Sequence, residues 1–176
     1  MDHYTLEISG LTRKLPVVAL GPNIKIASFN LLGDAELVEK TAKELRKKLR
    51  KLDFDAIAGP EVKVVPLLHA LAKNLNHERY VVGRKKIHGY MTNPQTLDRK
   101  PTLVLNGPDA EFLRGKKVVV VDDVVSTGRT LKVMDDLITQ SGGEVVANAV
   151  VLKQGTNKLE KITNPIFLGK LPVFKT

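Results

Sequence analysis

The amino-acid sequence predicts an α/β fold with a mostly parallel central sheet flanked by helices. Two observations lead to this prediction. Short apolar segments rich in Val, Ile and Ala alternate with longer segments whose apolar residues recur at helical spacing. The segment Lys116–Asp123, KKVVVVDD, has an apolar interior of branched residues, as is typical of a strand covered on both faces. Strands joined by helices favour parallel pairing through right-handed crossovers.

The first predicted helix runs from Asp34 to Leu52. Asp34 has a side chain that commonly caps helices. Leu37, Ala42 and Leu45 belong to one apolar stripe at helical spacing. The further predicted elements are a strand at Phe54–Gly59, a helix from Pro66 to about Asn76, strands at Arg79–Gly83, Thr102–Leu105 and Lys116–Asp123, a helix from Gly128 to about Ser141 and a strand at Glu144–Lys153.

The alternating elements define a predicted core over residues 34–154. The two chain ends, residues 1–33 and 155–176, are rich in Pro and Gly and break the alternation, so we expect them to form a small hood over the sheet. A length of 176 residues with 43% hydrophobic content suits one core. The chain is therefore predicted to be a single domain over residues 1–176.

One internal segment, residues 84–101, differs from its surroundings. It is basic, contains Gly89 and Pro94, and has no clean hydrophobic period. Long loops are uncommon in compact domains and often serve as lids over binding sites. We therefore predict a flexible lid loop at residues 84–101.

Composition narrows the compartment and the class of ligand. The absence of cysteine excludes disulfides and thiolate zinc sites and is consistent with a reducing cytosol, so we expect a cytoplasmic protein. No apolar run approaches the roughly 20 residues that span a bilayer, and no signal-peptide pattern is visible, so no membrane partner is expected. The net charge of +9 suits nucleic acid, a membrane surface or phosphorylated small molecules. With 5% aromatic residues and no tryptophan, nucleic acid is the less favoured partner, and a lysine-rich solvated surface is the simple alternative.

The segment Val118–Leu131, VVVVDDVVSTGRTL, combines a buried strand with a polar turn. In parallel α/β sheets, ligands bind beyond the carboxyl ends of the strands, which is where Asp122 and Asp123 stand. The turn from Ser126 to Thr130 opens a helix whose free N–H groups and positive dipole end attract anions. Its hydroxyl groups add donors, and glycine allows close approach of the backbone.

Two carboxylates beside a phosphate site would repel the phosphate unless they bind another part of the same ligand. An ionised Asp accepts hydrogen bonds from sugar hydroxyls, and it can also hold a bridging Mg²⁺. A ribose that carries a 5′-phosphate has all of these parts. Helix capping is the alternative, but it accounts for one such residue and not for Asp122, Asp123 and the hydroxyl cluster together. No phosphate-binding G-x-x-x-x-G-K-[ST] motif and no dinucleotide G-x-G-x-x-G motif occurs.

These motifs resemble those of the type I phosphoribosyltransferases, purine type. The phosphoribosyl-pyrophosphate signature of that family is similar to VVVVDDVVSTGRT. The pyrophosphate loop and helix of its adenine-type and xanthine-type members are similar to AIAGPEVKVVPLLHALA. The segment YVVGRKK resembles the strand that follows in those enzymes, with its Arg-Lys pair. IKIASFNLLGDAEL resembles their hood segment, and AVVLKQG resembles the strand that ends at their base pocket. The resemblance implies the type I phosphoribosyltransferase fold.

The resemblance also implies a function. A purine would attack C1 of phosphoribosyl pyrophosphate with inversion, giving a nucleoside monophosphate and pyrophosphate in purine salvage, with Mg²⁺ as cofactor and a homodimer as the assembly. Adenine is the favoured base, with xanthine or another 6-oxopurine next. A phosphoribosyl-pyrophosphate-sensing regulator that binds nucleic acid is the alternative, and a pyrimidine phosphoribosyltransferase is less favoured because the hood resembles the purine enzymes.

The resemblance assigns roles to individual residues. The implied catalytic residues are Asp122, Asp123, Lys63 and Arg84. The phosphoribosyl-pyrophosphate site would comprise Lys63, Arg84, Lys85, Asp122, Asp123, Ser126, Thr127, Gly128, Arg129 and Thr130. The base would contact Phe29, Val124 and Lys153. Asp122 and Asp123 would hold the ribose hydroxyls or Mg²⁺, directly or through water.

Some positions depart from the adenine-type pattern. Lys63 stands where those enzymes usually carry Arg, and Lys cannot form a bidentate fork. The lid loop lacks the sequence motif of the adenine-type lid. Tyr90 is either its aromatic contact to the ligand or an ordinary exposed residue. Lys153 and the SFN hood wording favour a 6-oxopurine, because a 6-oxo group needs a donor whereas a 6-amino group needs an acceptor.

Overall fold

The computed structural model of the protein describes residues 2–156 and 159–175. Within these residues it contains eleven strands and four helices. In chain order they are β1 (His3–Ile8), β2 (Leu11–Gly21), β3 (Ile24–Ala27), α1 (Ala35–Leu49), β4 (Ala56–Pro60), α2 (Val65–Leu75), β5 (Val81–Gly83), β6 (Gln95–Thr96), β7 (Val104–Leu105), α3 (Gly107–Leu113), β8 (Lys117–Val125), α4 (Arg129–Gln140), β9 (Glu144–Gln154), β10 (Pro165–Leu171) and β11 (Val173–Lys175).

The central sheet has five parallel strands in the order β10-β9-β8-β4-β5. Helices α1 and α2 cover one face of this sheet, and α3 and α4 cover the other. The predicted α/β fold with a parallel sheet flanked by helices is therefore confirmed. The central strand β8 is buried on both faces, with Val119 and Val121 packed toward α1 and α2 and Val118 and Val120 packed toward α4.

The predicted first helix is present as α1. The Asp34 carboxylate accepts a hydrogen bond from the backbone N–H of Leu37 at 3.0 Å, which satisfies one free donor of the first turn. The helix ends at Leu49 rather than at Leu52, and Arg50 is its C-cap. Among the described helices, none is both long enough and apolar enough to cross a bilayer.

A smaller, antiparallel sheet in the order β1-β2-β3-β11 is formed by the two chain ends. This small sheet unites the first part of the predicted hood with residues 173–175. Tyr4 of β1 and Phe174 of β11 make an edge-to-face contact with ring centroids 6.0 Å apart. The small sheet therefore has hydrophobic contacts within itself in addition to its packing against the core.

The hood prediction differs from the structure at residues 165–171. This segment is β10 and lies in the central sheet, where it pairs in parallel with β9. Its side chains alternate between the two cores, since Phe167 packs toward α4 while Ile166 and Leu168 pack toward the opposite face. The strand β10 lies at the edge of the central sheet and contains Pro165 and Gly169, so its sequence does not indicate a strand.

The region after β5 also contains elements that the sequence did not predict. Helix α3 was not predicted. It has seven residues and buries only Ala110 and Leu113, so it is too short to show a helical repeat of apolar residues. The predicted strand Thr102–Leu105 is shorter and forms β7, which pairs with β6 and makes a single antiparallel bridge, Val104 to Arg84, just beyond the end of β5. As a result, the lid loop is partly structured.

Candidate active site

A cavity of about 540 Å³ lies beyond the carboxyl ends of β4 and β8, at the edge of the sheet where ligands bind in parallel α/β proteins. Six of the residues singled out by the sequence line it: Lys63, Lys85, Asp122, Asp123, Val124 and Thr130. Glu61, Lys100 and Thr102, which sequence reasoning missed, also line it. Acidic side chains of β8 and basic side chains of the loops after β4 and β5 therefore face one cavity.

Asp122 and Asp123 form the acidic side of the cavity and are 9% and 7% exposed. One carboxylate oxygen of Asp122 accepts a hydrogen bond from the N–H of Asp123 at 2.9 Å, and Oδ1 of Asp123 accepts from the N–H of Val124 at 2.9 Å. The second oxygen of Asp123, Oδ2, is buried and has no hydrogen-bond partner among the described residues. A buried acceptor without a partner is costly, so this atom is suited to a donor or cation from a ligand.

The pKa shifts of Asp122 and Asp123 also favour a bound cation. Burial and the adjacent charge of Asp123 raise the pKa of Asp122 well above its ordinary value. Burial also raises the pKa of Asp123, while the positive charge of Lys63 opposes that rise. A divalent cation would favour the ionised pair, and Mg²⁺ commonly takes one or two carboxylates together with substrate oxygens. The two carboxylates and the free Oδ2 therefore fit Mg²⁺.

The turn from Ser126 to Thr130 leads from β8 into α4. Gly128 has φ of +86° and is followed by a helix whose first turn has no side-chain cap. A Cβ at Gly128 would lie 3.3 Å from the backbone nitrogen of Glu160, and that nitrogen donates to the carbonyl of Thr127 at 2.8 Å. Glycine therefore suits this position for both its conformation and its close contact.

The structure brings only part of this turn to the cavity. Thr130 lines the cavity, whereas Ser126, Thr127 and Arg129 are exposed beside it. The guanidinium of Arg129 lies 3.5 Å from the Glu160 carboxylate. The uncapped N–H groups of α4 nevertheless face the same end of the sheet as the two acids.

The basic side of the cavity comes from the loops after β4 and β5. Lys63 and Lys85 line the cavity, but Arg84 does not. Instead, the Nε of Arg84 donates to the Glu61 carboxylate, and the backbone N–H of Lys85 donates to the other oxygen of Glu61 at 2.7 Å. Burial of Glu61 raises its pKa, but these hydrogen bonds outweigh burial and lower it overall, so Glu61 is ionised.

The predicted base-contacting residues are separated. Val124 lines the cavity, whereas Phe29 is 3% exposed and packs in the hydrophobic core below it. Lys153 pairs with Val125 on β8 rather than with Val124, so strand alternation turns Lys153 to the other face of the sheet. Neither Phe29 nor Lys153 lines the cavity.

The lid loop is attached to the core at its second end. The guanidinium of Arg99 forms an ion pair with Asp136 on α4 and donates to the carbonyl of Lys132 at 3.2 Å. The adjoining Lys100 and Pro101 line the cavity. The end of the lid loop is thereby fixed between the cavity and α4.

Two buried acids next to an uncapped helix start, opposed by two lysines, make a site in an α/β protein that is suited to a phosphorylated, hydroxyl-bearing ligand. The chain belongs to the phosphoribosyl transferase domain family, which it matches over residues 31–175.

Named relatives support this membership. The chain is 32% identical over 122 residues to the adenine phosphoribosyltransferase of Lachnoclostridium phytofermentans. The matched region covers 66% of this chain and 68% of that protein. It is 30% identical over 128 residues to the adenine phosphoribosyltransferase of Thermosipho africanus, with coverage of 70% and 73%. It superposes on the crystal structure of adenine phosphoribosyltransferase from Thermoanaerobacter pseudethanolicus with a TM-score of 0.74 at 25% identity, covering 89% of this chain and 95% of that one.

Proposed function

We propose that the protein is a purine phosphoribosyltransferase of purine salvage that transfers phosphoribose from phosphoribosyl pyrophosphate to adenine, giving AMP and pyrophosphate. The observation that carries this proposal is the buried acid pair Asp122–Asp123 facing Lys63 and Lys85 across one cavity. The adenine phosphoribosyltransferases among its relatives favour adenine over a 6-oxopurine.

The acid pair is assigned to the ribose. The free Oδ2 of Asp123 accepts a hydrogen bond from a ribose hydroxyl, and Asp122 supports the same ring from the neighbouring position. The turn from Ser126 to Thr130 receives the 5′-phosphate through the uncapped N–H groups at the start of α4 and the hydroxyl of Thr130. The ribose and its phosphate then span the carboxyl end of β8.

The lysines are assigned to the pyrophosphate. In the transfer, adenine N9 forms a bond to C1 of the ribose, while the C1–O bond breaks and its electron pair leaves with pyrophosphate. The proton of N9 passes to water or to the released pyrophosphate. Lys63 and Lys85, with Arg84 beside them, stabilise the negative charge that develops on the leaving group. Asp122 and Asp123 are suited to hold Mg²⁺, directly or through water, and its charge would offset that of the pyrophosphate.

Of the predicted base-contacting residues, only Val124 lines the cavity. Val124 offers an apolar contact to the purine ring. Phe29 reaches the base only if the core around it opens, and Lys153 reaches it only if its side chain passes over the carboxyl end of β9. Both remain predictions as base contacts, and the position of Lys153 is easier to reconcile with adenine, which needs an acceptor at its 6-amino group.

We extend the proposal to the organisation of the protein. The chain acts as one phosphoribosyltransferase domain, the small sheet serves as its hood, and residues 84–101 cover the cavity as a lid. It works in the cytoplasm as a homodimer, with phosphoribosyl pyrophosphate and a purine as its small-molecule partners.

A steady-state assay tests the proposed function. Phosphoribosyl pyrophosphate and Mg²⁺ are supplied with adenine, xanthine, hypoxanthine or guanine separately, and pyrophosphate release is followed. We expect turnover with adenine. Turnover with xanthine alone would replace adenine and restore Lys153 as a base contact, whereas no turnover with any base would contradict the enzyme assignment and favour a regulator.

A further inference from the structure

Glu61 joins the loop after β4 to the residues that follow β5. Its backbone N–H donates to the carbonyl of Gly83 at 2.8 Å, which holds the two loops side by side. Its carboxylate then uses one oxygen for the N–H of Lys85, at 2.7 Å, and the other for the Nε of Arg84. Both oxygens of one half-buried acid are therefore committed to the predicted pyrophosphate site.

Arg84 is held from a second direction by the lid loop. Its Nη1 donates to the hydroxyl of Tyr90 at 2.8 Å, and its Nη2 lies 3.2 Å from Nε2 of His88. The rings of His88 and Tyr90 are stacked, with centroids 5.3 Å apart and planes 14° apart. The guanidinium thus has partners at Nε and at both terminal nitrogens.

We propose that Glu61 is a positioning residue that fixes the guanidinium of Arg84 and the backbone of Lys85 for the departing pyrophosphate. This inference rests on the proposed function and concerns the same site. By holding the N–H of Lys85, Glu61 sets the direction in which the Lys85 side chain enters the cavity. By holding Nε of Arg84, it leaves hydrogens of the two terminal nitrogens for oxygens of the ligand.

The charge of Glu61 indicates geometry rather than attraction as its role. A site for an anionic diphosphate gains nothing electrostatically from an ionised carboxylate beside it, because like charges repel. The carboxylate is therefore useful only for the arrangement that it imposes on the cations. A reacting group displaced by about 1 Å can cost on the order of a hundredfold in rate.

The substitution Glu61→Gln separates these two effects. Arg84 and Lys85 donate to different oxygens of Glu61, and the amide has an oxygen at only one of these two positions while its NH2 group faces the other donor. In the same side-chain position Gln therefore keeps only one of the two hydrogen bonds, while the net charge of the site rises by one unit. We expect magnesium pyrophosphate to bind about tenfold more weakly to Glu61→Gln than to the wild-type protein, by titration calorimetry, with AMP binding unchanged within about twofold. A purely electrostatic role would instead strengthen pyrophosphate binding.

Asp109→Asn is the matched control. Asp109 pairs with Arg79 at 2.5 Å, at side-chain exposures of 25% and 42%, and both residues lie outside the cavity. We expect this variant to bind magnesium pyrophosphate as the wild type does. Thermal melting of both variants then shows whether either one has merely lost stability.

The outcomes separate this inference from the proposed function. Unchanged or tighter pyrophosphate binding in Glu61→Gln overturns the positioning role, as does equal weakening of AMP and pyrophosphate or failure of the wild type to bind magnesium pyrophosphate. Turnover of adenine by the wild-type protein is measured separately, so the proposed function can stand when the role of Glu61 fails. Binding also reports on Glu61 when no base is turned over.

Discussion

Lys63 and Asp123 line one cavity from the ends of the neighbouring strands β4 and β8, and the charge of Lys63 opposes the burial that raises the pKa of Asp123. The lysine therefore acts on the acid as well as on any anionic ligand. Because parallel strands end at the same edge of a sheet, the two residues face one cavity although 59 other positions separate them in the chain.

The first prediction concerns Lys63→Ala. Without the lysine charge, burial raises the pKa of Asp123 further, so ionisation of this acid requires a higher pH. We expect the acid limb of the kcat/KM profile to move to higher pH and the KM for phosphoribosyl pyrophosphate to rise. Rate measurements from pH 5 to pH 9 check this, and Lys63→Arg serves as the control because it keeps the charge. An unmoved acid limb would count against the interaction.

The second prediction concerns Asp123→Asn. Asn has the same shape but loses the charge, and its amide supplies one acceptor oxygen where Asp123 has two. We expect kcat/KM to fall by about a hundredfold or more. The melting temperature should stay the same or rise, since burial and the adjacent acid disfavour the charged pair. Wild-type activity in this variant would remove the assigned role.

The third prediction concerns Asp135, a buried acid on α4 outside the cavity. Burial raises its pKa from 3.8 to about 6, although the amide of Asn148 donates to its Oδ1 at 2.7 Å and opposes the shift. The folded state therefore binds a proton more tightly than the unfolded state does. Stability from this group is present below about pH 4 and is lost as the pH rises to about 6, by on the order of 3 kcal/mol.

Urea unfolding from pH 4 to pH 7 tests this sign. In Asp135→Asn the side chain keeps an acceptor for Asn148 but no longer titrates. We expect the free energy of unfolding of the variant, relative to the wild type, to increase across this range. A difference that stays constant with pH would show that Asp135 ionises normally in the folded state.

The fourth prediction concerns Arg99→Ala at the second end of the lid loop. The substitution removes the contacts to Asp136 and to the carbonyl of Lys132. Because these groups are partly exposed, we expect the free energy of unfolding to change by less than about 1 kcal/mol. Amide hydrogen exchange in residues 97–101 should become faster, and the KM for phosphoribosyl pyrophosphate should rise.

Arg114→Ala provides the comparison for Arg99→Ala. Arg114 pairs with Glu111 at 3.2 Å on the exposed side of α3, away from the lid loop. Its loss should leave exchange in residues 97–101 unchanged. Equal exchange in wild-type and Arg99→Ala protein would mean that the ion pair does not hold the lid loop.

The elements that sequence reasoning predicted well carry strong local signals. The β8 strand has four consecutive buried valines, and α1 has an N-cap and a clear apolar stripe. The edge strand β10 and the short elements β6, β7 and α3 have no such signal, because contacts from distant parts of the chain stabilise them. Local pattern cannot report those contacts.

The candidate site divides in the same way. Asp122, Asp123 and Thr130 follow from a strand, turn and helix that are continuous in sequence, and the structure brings all three to the cavity. Glu61 was missed because its partners Arg84 and Lys85 are more than twenty residues away. Its position directly after β4, at the ligand-binding edge of the sheet, was the one available signal.

The connection between β10 and β11 has a mechanical consequence. Leu171 ends a strand of the central sheet and Val173 begins a strand of the small sheet, so Pro172 alone joins the two. Proline has a fixed φ and little freedom to swing. At this end of the chain, any displacement of the small sheet relative to the central sheet must therefore pivot at Pro172 or separate β11 from β3, so the last strand tethers the small sheet to the central one.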